Sequence, residues 1–177
     1  MKNFKIALIA LFAVVISSCS DDDGPGFEFN QENIAGTYTL TFFESNETIV
    51  ETLQATGNQV TTTVDIEGDT FSGTRFNLND NGTYSISGNI RITETSQTGS
   101  DPVEVEDPVI IPIDDSGTYS INTTARTLTL TSTGEGGLVY DVDRFSESGF
   151  RIRSQEVETD TDFESTTVTE IRLERVN

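Results

Sequence analysis

The segment Thr83–Thr95 alternates between apolar and polar side chains, and this alternation is the strongest limit on the folds open to the chain. Its large apolar residues share one parity: Tyr84, Ile86, Ile90 and Ile92. Because successive side chains of a strand point to opposite faces, the pattern predicts a β-strand with one face on a core and one in water. The preceding residues, Asn79–Gly82, favour a hairpin turn.

Further strands predicted along the chain indicate one all-β domain over residues 33–177. Eight segments are rich in residue types that suit a pleated surface: Gly36–Phe43, Gln59–Glu67, Thr70–Leu78, Gly117–Asn122, Thr127–Thr133, Leu138–Phe145, Gly149–Val157 and Phe163–Val176. Gly68-Asp69 reads as a turn, Gly73 predicts a bulge, and Glu47–Thr56 fits either a strand or a helical turn. About 8 to 10 strands without a βαβ pattern indicate a single antiparallel up-and-down β-barrel, with a β-sandwich as the alternative.

The N-terminus predicts export from the cytoplasm. Two lysines precede the apolar run Ile6–Ile16, which has the charge and length of a secretory signal peptide over residues 1–18. Ile16–Cys19 resembles the lipobox of bacterial lipoproteins, and the resemblance implies cleavage before Cys19 and a lipid on its thiol. The alternative is an ordinary signal peptide followed by an incidental cysteine. The chain has no second cysteine, so no disulfide can form within it.

An acidic segment follows the predicted lipidation site. Residues 19–32 are interpreted as the lipidated Cys and a flexible tether, because acidic residues with Gly and Pro bury too little surface to fold. Four residues resemble the acidic export tag of Bacteroidota-type surface lipoproteins: Ser20, Asp21, Asp22 and Asp23. The resemblance implies an outer-membrane protein on the cell surface, whose membrane contact is the lipid on Cys19. The periplasmic face of that membrane is the alternative.

The charge balance argues against several classes of function. The chain has 30 acidic and 10 basic residues, a net charge of -20, and no His or Trp. Both lysines fall in the predicted signal peptide, so the remainder carries 8 arginines against 30 acidic residues, a net charge of -22. Such a chain does not neutralise nucleic-acid phosphates. It also lacks the residues for a His/Cys zinc site or a Ser-His-Asp triad. We therefore predict no catalytic residue, metal or cofactor, and expect a monomer without enzymatic activity.

Several segments together are similar to the lipocalin-like domains of Bacteroidota cell-envelope lipoproteins. They are Asn33–Leu40, Phe76–Tyr84, Gly117–Ile121, Leu128–Leu130 and Ile171–Arg175. The resemblance implies a barrel that binds a small hydrophobic molecule. Inward residues would then line its cavity, namely Tyr38, Leu40, Phe42, Tyr84, Ile86 and Ile90. Tyr38 stands where lipocalins have a Trp covered by a late Arg, so the resemblance implies that Arg172 or Arg175 closes the barrel over Tyr38.

Two stretches outside the clear strands are candidates for function. Thr98–Asp115 holds three of the four prolines around the apolar run Val109–Ile113 and is predicted as a long loop. It would be a lid over the barrel mouth or, as we favour, an edge segment whose prolines limit aggregation. Alternate acidic residues would line one strand face or cap a hairpin: Glu156, Glu158, Asp160, Asp162 and Glu164. We do not predict a calcium site there.

The alternative function is a surface interaction module with a filled core and no ligand cavity. It would act through the acidic exterior or through Thr98–Asp115. Gly73 and Gly88 would leave room for a cavity inside a barrel. Large aromatic residues would fill one, and the candidates are Phe42, Phe76, Phe145 and Phe150. The balance between these small and large inward residues separates the two functions.

Overall fold

The computed structural model describes residues 27–133 and 136–176. Within them a short helix, α1 (Gln31–Ile34), precedes nine strands. The strands are β1 (Gly36–Leu53), β2 (Asn58–Leu78), β3 (Thr83–Thr98), β4 (Glu104–Val105), β5 (Val109–Asn122), β6 (Thr127–Ser132), β7 (Gly137–Ser146), β8 (Gly149–Asp160) and β9 (Phe163–Arg175). Asn30 caps α1, since its side chain accepts a hydrogen bond from the Asn33 backbone N–H at 2.8 Å.

Eight of these strands close into an antiparallel barrel. Each barrel strand pairs with the next one along the chain, and β9 returns to pair with β1. The two-residue strand β4 is an addition that pairs with β3 beside the start of β5. This arrangement confirms the predicted all-β, up-and-down barrel and sets the sandwich alternative aside. A meander of this kind follows from short connections between antiparallel neighbours.

The strands differ in length, which makes one end of the barrel uneven. β1, β2 and β3 contain 18, 21 and 16 residues, whereas β6 contains 6. Together with β8 and β9, the three long strands continue past β6 and β7 as a five-stranded sheet, here called the extension. Val109–Asp115 of β5 pairs only with β3, and Ser154–Asp160 of β8 pairs only with β9. These two free edges border an opening in the barrel wall.

Two strands are longer than the local sequence pattern suggested. β1 continues as a strand through most of Glu47–Thr56 and ends at Leu53, so the helical alternative for that segment is wrong. The predicted turn at Gly68-Asp69 is also wrong, because β2 runs through it with a register shift against β3 between Gly68 and Thr70. β2 has a strand partner on each side, and these pairings outweigh the local turn preference of Gly and Asp.

A second bulge confirms the predicted irregularity at Gly73, which has a φ of +64°. The next residue, Thr74, is fully buried, and its hydroxyl accepts a hydrogen bond from the Leu40 N–H at 3.2 Å. A Cβ at Gly88 of β3 would lie 2.6 Å from the Thr74 Cα. The bulge and β3 can therefore approach this closely only because residue 88 is glycine.

The most tightly packed part of the core fills the end of the barrel opposite the extension, here called the closed end. Three side chains there are 0% exposed: Ile34, Tyr38 and Leu128. The first described residues dock at the same end, because Phe27 and Phe29 contact the Phe145 ring at centroid distances of 5.1 and 5.2 Å. The chain therefore enters the domain at its closed end. This corrects the predicted tether over residues 19–32, because residues 27–32 are already part of the folded domain that was predicted to begin at residue 33.

The proline-rich segment Thr98–Asp115 belongs to the edge of the sheet. β5 begins at Val109, well before the predicted strand start at Gly117, and Pro112 lies opposite Asn89 of β3. This part of β5 has a strand neighbour on one side only, and an edge tolerates a proline because its free side needs no N–H donor. For Val109–Asp115 the favoured interpretation as a proline-containing edge is confirmed and the prediction of a loop is wrong, whereas residues 99–108 form a connection that contains only the short strand β4.

Candidate functional site

An apolar cavity of about 130 Å³ lies inside the barrel, above the closed end. Its walls are inward side chains from most of the strands: Leu40, Phe76, Tyr84, Ile86, Asp115, Leu130, Tyr140, Ile152, Ile171 and Leu173. All but Asp115 are aliphatic or aromatic. The period-2 alternation of each strand brings these side chains together, since it turns every second residue towards the barrel axis.

Among the described residues that line the cavity, Asp115 is the only one with a charged side chain. Its Oδ2 accepts hydrogen bonds from the Tyr84 hydroxyl at 2.6 Å and from the Ser132 hydroxyl at 2.8 Å. Its Oδ1 accepts one from the Ser116 backbone N–H at 2.8 Å. The hydrogen bond from Tyr84 holds the pKa of Asp115 below its usual value, against the smaller, opposite effect of burial. Asp115 is therefore an ionised carboxylate at neutral pH.

Tyr140 lines the cavity from β7 and is only 9% exposed. Its hydroxyl makes no hydrogen bond to any residue in the ranges 27–133 and 136–176. Burial raises the pKa of Tyr140, and the negative charge of Glu156 on β8 raises it further. The hydroxyl therefore stays protonated at neutral pH and can both donate and accept a hydrogen bond.

Five of the six residues predicted to line a cavity are inside the barrel. Leu40, Tyr84 and Ile86 line the cavity. Tyr38 is buried beneath it, at the closed end, and Ile90 is buried nearer the extension, outside the cavity wall. A Cβ at Gly68 would lie 2.8 Å from the Ile90 side chain, which shows how tightly the barrel is packed at that level.

Phe42, the sixth residue, lies on the outer face of the barrel, which corrects its predicted inward orientation. The β1–β9 register shifts between Leu40 and Phe42, so that Phe42 pairs with Arg172, the outward neighbour of the buried Leu173. The Arg172 guanidinium lies 4.2 Å from the centre of the Phe42 ring. The bulge at Thr41 reverses the parity of β1, and neither a Gly nor a Pro marks this position in the sequence.

Arg175 covers Tyr38 at the closed end. Its guanidinium carbon lies 4.9 Å from the centre of the Tyr38 ring. The same group donates hydrogen bonds to the Tyr38 hydroxyl at 2.6 Å, to the Ala35 carbonyl at 2.9 Å and to the Asn33 carbonyl. Burial raises the pKa of Tyr38, and the positive charge of Arg175 acts against this. Of the two arginines considered for closure, Arg175 therefore lies over Tyr38, and Arg172 does not.

The alternating acidic residues near the β8–β9 hairpin do not share one face. Those on β8 have the parity of the inward Ile152: Glu156, Glu158 and Asp160. Glu164 follows the turn and has the opposite parity to the buried Ser165. Within the described ranges, no group of three or more His, Cys, Asp or Glu side chains is placed to hold a metal ion.

Sequence reasoning missed two polar groups of the cavity, Asp115 and Tyr140, and the Ser132 hydroxyl that donates to Asp115. A signal for Asp115 was present, because it shares the inward parity of Ile113 and Tyr119 on β5. That signal could be recognised only once β5 was known to start at Val109. Tyr140 likewise shares its parity with the buried Val142, although the predicted strand alone could not say which face is inward.

No protein-family model, curated protein or solved structure matches the chain. Among the described residues, no helix has both the length and the apolar character needed to cross a membrane. The predicted signal peptide, the predicted lipidation site Cys19 and the predicted export residues Ser20, Asp21, Asp22 and Asp23 lie outside the described residues. The geometry of the cavity is therefore the main basis for a functional proposal.

Proposed function

We propose that this barrel is a binding protein, without enzymatic activity, that holds a small hydrophobic molecule or the apolar end of a larger one. The observation that carries the proposal is the cavity itself, with apolar walls, one carboxylate and one hydroxyl without a partner among the described residues. Ligand sites are typically concave and mostly apolar, with a few polar groups that orient the ligand. The resemblance to lipocalin-like domains supports the same function.

The size of the cavity limits the ligand. Its volume of about 130 Å³ is well below the roughly 300–1,000 Å³ of pockets that enclose a drug-sized molecule. An apolar cavity of about 150 Å³ accommodates benzene. We therefore expect one ring or a short branched chain inside the barrel. Any further part of the ligand would extend through the opening between the free edges of β5 and β8.

We further propose that a lipid on Cys19 holds the domain on the outer membrane, facing the outside of the cell. The lipobox and the acidic tag support this location. Phe27 contacts Phe145 at the closed end, and the chain from Cys19 to Phe27 can span at most roughly 28 Å. The closed end would then lie nearer the membrane, and the extension and the opening would point away from it.

Ligand binding can be tested by methyl NMR of the full chain titrated with toluene, a neutral ring of the expected size. The methyl signals of Leu40, Ile86 and Leu130 should shift together and saturate, because these side chains line the cavity. Ile86→Phe should abolish the shifts by filling the cavity. Val139→Phe is the matched control, since Val139 is 56% exposed on β7. The proposal is wrong if toluene shifts no lining methyl, or if Ile86→Phe binds it as well as the native chain.

The anchor can be tested separately in the host by metabolic labelling with a clickable fatty acid. Cys19→Ala should abolish the label, whereas Ser18→Ala, which keeps a small residue before the cysteine, should retain it. Unchanged labelling of Cys19→Ala would refute the anchor. Replacement of Asp21, Asp22 and Asp23 by Ala should reduce digestion by protease added to intact cells. Digestion that stays the same would refute surface export.

A second candidate function is protein interaction through the edge formed by β4 and β5. Val105, Val109 and Ile110 are 67%, 53% and 69% exposed, and the free edge of β5 offers backbone groups to an added strand. The acidic residues around them repel a second copy of this chain, so the fitting occupant is an extended segment with flanking lysines. A valine-rich, lysine-flanked peptide should bind in a salt-dependent way. Ile110→Asp should abolish that binding, and Val157→Asp on exposed β8 should not. Equal binding by both variants would exclude this edge.

A further inference from the structure

Asp115 places an ionised carboxylate at the wall of an apolar cavity, and it has no positively charged partner among the described residues. Its hydrogen-bond donors are two neutral hydroxyls and one backbone N–H. In the part of the chain that the structure describes, every arginine ion pair involves another carboxylate. A carboxylate beside an apolar surface is only partly hydrated. A cationic N–H group that reaches it therefore forms a strong, charge-assisted hydrogen bond.

The Tyr140 hydroxyl is a second polar group that a ligand in the cavity could reach. Tyr140 is 91% buried, lines the same cavity, and has no hydrogen-bond partner within the described residues. The hydroxyl oxygen is not among the fully buried polar atoms, so it is open to a ligand that enters the cavity. The negative charge of Asp115 is close enough to contribute to the raised pKa of Tyr140. A group with several N–H donors could therefore bond to the Asp115 carboxylate and to the Tyr140 oxygen together.

The route into the cavity carries only negative charge among its described residues. Glu47, Glu94 and Glu156 of the extension have the inward parity of their strands. Arg126 and Arg175 lie at the closed end. The arginines within β2, β3, β8 and β9 that precede Arg175 lie on the outer face of the barrel, and they are Arg75, Arg91, Arg151, Arg153 and Arg172. An opening lined by one sign of charge concentrates ions of the opposite sign. The extension therefore favours the approach of cations and disfavours that of anions.

We propose that the ligand is a small organic ammonium ion, with its ring or short alkyl chain in the cavity and its nitrogen between Asp115 and Tyr140. This assignment rests on the proposed binding function and adds the charge of the ligand to it. The apolar walls select for the hydrocarbon part, and the two polar groups select for a cationic head. A neutral molecule of the same shape fills the cavity but leaves the carboxylate unpaired.

The assignment can be tested with three probes that share one ring and differ in the end group. They are 2-phenylethylammonium, neutral propylbenzene and anionic 3-phenylpropionate. Each is titrated at pH 7 into the full chain in lipid nanodiscs, with empty nanodiscs as the blank, and the Kd is read from the methyl shifts of Ile86 and Leu130. The ammonium ion should bind about tenfold to hundredfold more tightly than propylbenzene, as expected for one hydrogen bond to a charged group. The anion should bind most weakly.

Two variants separate charge from shape. Asp115→Asn keeps the size of the side chain and removes its charge, so it should reduce the preference for the ammonium ion to about twofold or less. Asp114→Asn is the matched control, because Asp114 is exposed and has the outward parity of β5. Tyr140→Phe should weaken binding of the ammonium ion about twofold to tenfold and leave propylbenzene unchanged. Melting by circular dichroism shows that each variant is folded.

The outcomes distinguish the two proposals. If propylbenzene binds and the ammonium ion binds no better, the assignment of charge is overturned and the proposed binding function stands. If Asp115→Asn keeps the full preference, the role of Asp115 is overturned. If none of the three probes shifts a lining methyl, both the binding function and its charge assignment fail.

Discussion

Replacement of Arg175 tests how the barrel is closed. Arg175→Met keeps an unbranched side chain over the Tyr38 ring but removes the guanidinium donors. Three acceptors then lose their donor: the Asn33 carbonyl, the Ala35 carbonyl and the Tyr38 hydroxyl. Water cannot readily replace the donor at Tyr38, because that side chain is 0% exposed. Arg172→Met is the matched control. It removes the same group from the same strand, but from the half-exposed outer face.

The expected cost follows from the hydrogen bonds that are lost. Each hydrogen bond to a charged group contributes roughly 1.5–3 kcal/mol to stability. We count three such bonds at the lower end of that range. About 1 kcal/mol is regained, because the substitution also removes the Arg175 Nε, which is buried and has no hydrogen-bond partner among the described residues. The expected net loss of stability is about 3–4 kcal/mol. Domains are typically stable by only roughly 5–15 kcal/mol, so this is a large fraction. Arg172→Met should cost about 1 kcal/mol or less, because exposed ion pairs contribute little.

Urea unfolding followed by far-ultraviolet circular dichroism measures both losses, since the chain has no Trp to report by fluorescence. The Arg175→Met midpoint in a thermal scan should fall by about 6–16 °C, at about 2–4 °C per kcal/mol for a domain of this size. The reasoning is refuted if the two variants lose equal stability. It is also refuted if Arg175→Met loses less than about 1 kcal/mol.

Three further perturbations follow from packing and titration. Gly117→Ala should cost about 1–3 kcal/mol, because its Cβ would lie 2.0 Å from the Thr131 carbonyl oxygen. Gly136→Ala, whose Cβ meets no described atom within 4 Å, should shift the urea midpoint very little, and equal shifts would contradict the steric reason. Burial, with a smaller effect of Asp80, raises the pKa of Tyr119 from 10.0 to about 12. Its contribution to stability is complete below pH 10 and is lost as the pH rises towards 12, so Tyr119→Phe should flatten the alkaline fall in unfolding free energy. A fall of the same steepness in both chains would contradict this. The lowered pKa of Asp115 contributes stability that is present above the unfolded pKa of about 4 and is lost in more acidic solution. Asp115→Asn should therefore lose less stability than the native chain between pH 4 and pH 2, and identical acid profiles would count against it.

Much of the fold was readable from local patterns. The alternation in Thr83–Thr95 predicted the inward parity that the structure shows for Tyr84, Ile86 and Ile90. The glycine between two aromatic residues of opposite parity predicted the bulge at Gly73. Both signals work at short range, because the direction of a side chain along a strand depends on its immediate backbone.

The candidate site was only partly readable. Leu40, Tyr84 and Ile86 were expected in the cavity and line it. Phe42 was misplaced because a bulge at Thr41 reverses the parity of β1, and no local residue marks that bulge. Asp115 was missed because the prolines that precede it in the sequence made the start of β5 look like a loop. In both cases the deciding interaction was pairing with a strand distant in sequence, β9 for Phe42 and β3 for Asp115.

By itself the sequence determined that this chain forms an antiparallel β domain with one apolar face per strand, and it predicted an acidic tether behind a lipidated Cys19. The tertiary structure decided how the strands are paired and staggered. That stagger places Arg175 over Tyr38, turns Phe42 outwards and brings the Asp115 carboxylate beside the Tyr84 and Ser132 hydroxyls. The physical reason is that alternation sets only two possible faces for each residue, whereas the register between distant strands sets which side chains meet.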